Sequence, residues 1–250
     1  MQCAVVKVSR AGWLRVSRAV LVGLLMGEAL LAPIYLGSVL WLGGAPPLFD
    51  LNRQLALPSC LQALHLFAIG AIALAFNVLH HRYRGRPSRG FLGAIALLCF
   101  YSTIDELFKI HLQTDKWFPV LSKETWIGFY ICVLVAIPIF FHRDFVALWQ
   151  QHRAACCWVL LGMSIFSLGG FGAEIFRFDS LRSLLTFFQM PATVSVDLPE
   201  ALRIAVEECL ELMGESVVLY GVLRFSINRL VAPVVLPSPI PPQTDGSSPE

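Results

Sequence analysis

The chain has 250 residues, of which 56% are hydrophobic and 14% charged, with a formal net charge of +2 and a mean hydropathy of +0.68. Soluble domains carry roughly 25% charged residues, so this composition excludes an ordinary water-soluble protein and points to an integral membrane protein. The small positive charge carries no nucleic-acid signal, because the basic residues sit at the ends of apolar runs rather than on one soluble face.

Six apolar runs approach or exceed the roughly 20 residues that a helix needs to cross hydrocarbon. In chain order they are predicted at about 18–42, 59–80, 90–112, 125–142, 155–176 and 200–225. None shows the ten-residue alternation of a membrane barrel, so the expected fold class is all-α, a transmembrane bundle of six helices. The implied organisation is a basic N-terminus at 1–17, a membrane domain at 18–230 and a disordered tail at 231–250. The tail is rich in Pro and Ser and has too little apolar surface to fold.

The basic residues orient the bundle. Lys7, Arg10, Arg15 and Arg18 precede the first span, and Arg82, Arg84, Arg86 and Arg89 fill the second turn. Arg143 and Arg153 follow the fourth span, and Arg224 and Arg229 end the sixth. The alternate loops hold Arg53, Lys116, Lys123, Arg177 and Arg182, so the positive-inside rule places both termini in the cytoplasm. The first run is about 25 residues long and lacks a convincing cleavage pattern, which reads as an uncleaved helix rather than a secretory signal. The cysteines form no CxxC pair, and most read as packing residues inside apolar spans. On the outer face, 43–58 and 184–190 read as interfacial stretches that cover the bundle end.

The informative residues are carboxylates inside these runs. Charge within the bilayer costs from about 3 to well over 10 kcal/mol per group, so such residues face protein, pair with cations, carry protons or mark a site. At about 1.5 Å of rise per residue, Asp105 and Glu106 lie about 10 Å below the outer surface, with Lys109 and His111 near it. Glu174 falls near the outer end of the fifth span. Glu207 and Glu208 lie about 10–12 Å down, Glu211 about 16 Å and Glu215 somewhat past 20 Å. His65 is expected about 10 Å down and Glu28 at the deeper end, near Glu215. Glu208, Glu211 and Glu215 share one helix face by their i, i+3, i+7 spacing, and Glu207 joins Glu211 at i+4. So many carboxylates in low dielectric require shared protons or a bound cation. The plainer alternative is intrahelical pairing, with Arg203 four residues before Glu207 and Lys109 beside Asp105 and Glu106.

AspGluLeuPheLysIleHis at 105–111, GlyGlyPheGlyAlaGlu at 169–174 and GluGluCysLeuGluLeuMetGly at 207–214 carry a resemblance. They are similar to the polar signatures of an uncharacterised family of bacterial multi-pass membrane proteins, also frequent in cyanobacteria. PheAspLeuAsn at 49–52 and LeuProSer at 57–59 resemble that family's first loop. The resemblance spans about residues 20–225 and implies a bacterial inner membrane, plasma or thylakoid, but no activity. Leu112 stands where an acidic residue is expected after His111, which leaves a metal-ligand set on the third helix incomplete.

Three function classes follow. The first is a cation or proton site for transport or sensing, with the lipid bilayer as the one partner the sequence names. The second is a carboxylate metalloenzyme in which Asp105, Glu106, His111, Glu174, Glu207, Glu208 and Glu211 hold a divalent metal ion. The third is a scaffold or assembly subunit with a structural polar core. A haem protein, with His65 and His111 on the outer side or His80, His81 and His142 on the inner, is weighed against by the lack of suitably spaced histidine pairs within helices. No phosphate loop, HExxH or GxSxG motif is present.

Overall fold

The computed structural model describes residues 9–81, 85–110, 113, 123–170 and 192–231, and of 123–127, 129, 130 and 192–197 it describes the backbone alone. Every regular element among them is helical. The six α-helices are α1 (Arg10–Leu42), α2 (Leu57–Val78), α3 (Arg89–Phe108), α4 (Lys123–Phe140), α5 (His142–Gly170) and α6 (Ala192–Val231), with a 3-10 turn, Leu79–His81, after α2. The tail from 232 onward and the stretch 184–190 lie outside the described residues.

Local chemistry sets most helix ends. Ser9 caps α1 by accepting from the Gly12 N–H, and Ser88 caps α3 by accepting from the Phe91 N–H. Gly43 ends α1 in the left-handed conformation, φ 70°, which a residue without Cβ adopts at no steric cost. A proline in the first turn of α2 gives up a donor that no helix would use. Helix α3 ends at Phe108, short of the expected 112, because Lys109 takes a left-handed conformation at φ 45°.

Four helices are long and apolar enough to cross a membrane: α1, α2 with its 3-10 extension, α3 and α5. Many of their large apolar side chains point outward, among them Met26, Leu30, Leu74, Leu97 and Leu160. Helix α6 fails that composition criterion because of its carboxylates, yet at 40 residues it extends about 60 Å. The first part of α5, His142–Gln151, is charged and amphipathic. A non-helical residue, His152 (φ −133°, ψ 36°), bends α5 before its apolar stretch begins.

Helix α6 is the axis of the bundle. It packs along α5, α1 and α2, while α3 leans on α2. One apolar cluster joins Leu31 and Tyr35 of α1, Leu51 of the first loop, and Ala201, Ala205 and Leu212 of α6. Leu51 is completely buried there, so the segment 43–56 is anchored through this residue rather than lying flat along its length. A second cluster joins Leu21 to Val217 and Tyr220. At the far end Phe91 meets Phe141 and Phe145 edge-on.

The α5–α6 crossing is unusually close. A Cβ on Gly162 would stand 2.6 Å from the Gly214 carbonyl oxygen and the Val218 nitrogen, and one on Gly214 would stand 2.6 Å from the Phe166 nitrogen. Gly169 and Gly221, seven residues further along each helix, meet the partner backbone in the same way. The close approach thus rests on glycines seven residues apart on each helix rather than on a GxxxG pair.

Candidate functional site

The polar side chains of α6 form three levels along one face. At the first, Lys109 Nζ lies 2.5 Å from Glu106 Oε1 and 3.7 Å from Glu208 Oε1. Lys109 and Glu208 are both buried. The left-handed turn at Lys109 lets its N–H donate to the Asp105 carbonyl while the ammonium folds back over the end of α3. Asp105 is buried in the same turn.

One helical turn on, Gln62 Nε2 donates to Glu211 Oε2 at 3.4 Å. Gly170 leaves the space that Glu211 occupies, since a Cβ there would stand 2.7 Å from Glu211 Oε1.

The third level is enclosed. The Ser216 hydroxyl donates to Glu28 Oε1 at 2.6 Å. His65 Nε2 lies 3.6 Å from the same oxygen and 3.5 Å from Ser216 Oγ, and His65 Nδ1 lies 3.7 Å from Glu215 Oε2. Glu28 and His65 are each 1% exposed. Four atoms of these two lower levels have no hydrogen-bond partner: Glu28 Oε2, Gln62 Oε1, His65 Nδ1 and Glu215 Oε2. Buried polar atoms are nearly always satisfied, so this concentration of unpartnered atoms departs from an ordinary packed interior.

The structure therefore gathers Glu28, His65, Lys109, Glu106, Glu208, Glu211 and Glu215 around α6, and adds Gln62 and Ser216, which sequence reasoning missed. Two signals pointed to them: Gln62 is three residues from His65 on an apolar helix, and Ser216 follows Glu215. His65 lies beside Glu215, deeper than the level of Glu208 at which the sequence placed it. Depth counted from each span's start has no common origin, because α6 begins at 192 and α2 at 57.

Other residues separate from the group. Arg203 pairs with Glu207 and with Glu200 at 2.8 Å, so Glu207 belongs to an ion pair within α6. His111 and Glu174 lie outside the described residues. Among the described residues no group of three or more His, Cys, Asp or Glu side chains is disposed to hold a metal ion. The histidines at the other end lie near backbone carbonyls of their own turns, His80 by Gly85 at 3.2 Å, His81 by Val78 at 3.2 Å and His142 by Ile139 at 3.3 Å.

That opposite end is held by Asp144. It accepts from the Ser88 N–H at 2.7 Å and the Ser88 hydroxyl at 2.8 Å, and from Arg86 at 2.8 Å. Arg229 of α6 donates to the Arg86 carbonyl at 2.7 Å. Burial would raise the Asp144 carboxyl, but the hydrogen bonds from Arg86 and Ser88 hold it below the ordinary carboxylate range.

No curated protein and no solved structure matches this chain. Residues 10–225, from the first turn of α1 to the last turns of α6, carry one family signature, and the chain belongs to the family described as Domain of unknown function (DUF8692).

Proposed function

We propose that this protein is a six-helix membrane bundle whose interior binds protons or a small cation, serving transport or sensing. Both termini are assigned to the cytoplasm by the basic residues at the start of α1, in the α2–α3 turn, in the first turns of α5 and at the end of α6. An inner membrane, plasma or thylakoid, is the setting that the resemblance implies.

The observation that carries the reading is the stack on α6. Glu208, Glu211 and Glu215, with Glu28 of α1 and Glu106 of α3, line one interior face, and Lys109 is the cation that pairs with Glu106 and Glu208. Among the described residues these carboxylates outnumber the cations beside them, and such an excess needs protons or a bound ion for neutrality. Arg203 supports a structural role for Glu207 alone, since the two pair on a half-buried turn of α6.

The test is proton uptake by the purified full-length protein, followed with a pH indicator during small acid and base steps, alongside elemental analysis of the same sample. The Glu211→Gln, Glu215→Gln double variant is expected to lose uptake that the wild type shows, or to lose a stoichiometric metal. Equal uptake by both proteins, with no metal in either, would leave the polar core a structural feature only.

A further inference from the structure

We infer that the bound ion is a proton and that His65 passes it between Glu215 of α6 and Glu28 of α1. This rests on the reading of the α6 face as a proton or cation site. It names the ion and adds a path.

The geometry separates a proton from a metal ion. A metal needs ligands converging on one centre, whereas Glu28 and Glu215 stand at opposite nitrogens of the His65 ring, 3.6 Å from Nε2 and 3.7 Å from Nδ1. The imidazole occupies the place between them that a shared ion would need. Imidazole suits transfer because one nitrogen accepts a proton while the other releases one. Nδ1 takes a proton from the Glu215 carboxyl, breaking that O–H bond, and the Nε2–H bond breaks to protonate Glu28 Oε1. Charge and atoms balance, and no electron moves.

The ring is poised rather than locked. Both separations exceed a hydrogen bond by less than about 1 Å, and Nδ1 and Glu215 Oε2, which face one another, have no other hydrogen-bond partner. Ser216 fixes the receiving oxygen, since its hydroxyl donates to Glu28 Oε1 at 2.6 Å. Gln62, one turn before His65 on the same face of α2, donates to Glu211 through Nε2 and leaves Oε1 without a hydrogen-bond partner. Glu211 and Glu215 are one turn apart on α6, about 6 Å along its axis, and Glu211 acts on Glu215 electrostatically. The other titratable groups acting on this level are Glu106, Lys109 and Cys99 of α3 and Cys209 of α6.

Nitrogen-15 NMR of the full-length protein with labelled histidine, in detergent micelles, tests the relay directly. Comparison with His65→Gln assigns the His65 signals. In the wild type both ring nitrogens are expected to show intermediate shifts, from averaging of the two tautomers. Glu28→Gln is expected to shift the population towards Nδ1–H, and Glu215→Gln towards Nε2–H. A single tautomer in the wild type overturns the relay even if the variants do not fold. Proton uptake on the same samples keeps the two readings apart. Uptake with a frozen His65 removes the relay alone, and no uptake in the wild type removes the site reading beneath it.

Discussion

Lys109 sets two residue-scale effects against each other. Its left-handed backbone, φ 45°, is strained by about 1–2 kcal/mol relative to glycine, so Lys109→Gly gains there. The same change strips Glu106 and Glu208 of their ammonium, and removing one partner of a buried pair costs about 3–5 kcal/mol. The second effect is larger, and Lys109→Gly is expected to lower the thermal unfolding midpoint in micelles. Adding Glu106→Gln and Glu208→Gln is expected to restore part of the loss by removing the stranded charge. Gln62→Leu is a separate probe. It deletes the donor to Glu211 at nearly constant volume, and infrared spectra are expected to show a changed carboxyl band that Glu211→Gln abolishes.

Among elements, the α5–α6 crossing and the Asp144 clasp carry the sharpest expectations. Gly162→Ala and Gly214→Ala each drive a Cβ to 2.6 Å from partner backbone, which rigid helices cannot relieve by a side-chain rotation. A loss of about 2–3 kcal/mol or more is expected for each. Gly23→Ala and Gly27→Ala have open space around the new methyl and are expected to be neutral or to stabilise by up to about 1 kcal/mol. Equal effects at the two pairs would contradict the close crossing. Asp144 ties α5 to the cap of α3, and Asp144→Ala is expected to lose about 1–2 kcal/mol at pH 7, chiefly by removing the acceptor of the Ser88 N–H and hydroxyl, since Arg86 is half-exposed and turns to solvent. Its folded carboxyl lies below the ordinary value, so its contribution is full above the unfolded pKa of about 3.9 and fades as pH falls through the folded value. Unfolding midpoints of wild type and variant are therefore expected to differ at pH 7 and to converge towards pH 2.

On the scale of the whole molecule, the bundle organises its interior by what α6 faces. The proposed topology places Ser9 and Asn52 on opposite sides of the membrane. In a cysteine-depleted background, Ser9→Cys and Asn52→Cys in right-side-out vesicles are expected to react oppositely with an impermeant maleimide. Labelling of both from one side would reject the arrangement.

The helical class and the acidic face of α6 were legible in the sequence because both are local. Hydropathy runs and the spacing of Glu208, Glu211 and Glu215 depend only on the 3.6-residue period of one helix. The pairing of Arg203 with Glu207 was legible for the same reason. The nearness of Glu28 to Glu215 was legible from depth along the spans, but the position of His65 between them was not. Glu28, His65 and Glu215 are brought together by the packing of α1 and α2 against α6. That packing depends on interhelical register and on Gly162 and Gly214 closing the α5–α6 contact on the other side. Sequence spacing measures distance along a helix, and only tertiary packing decides distance between helices, which is why the acidic stripe could be read from the chain and the histidine between Glu215 and Glu28 could not.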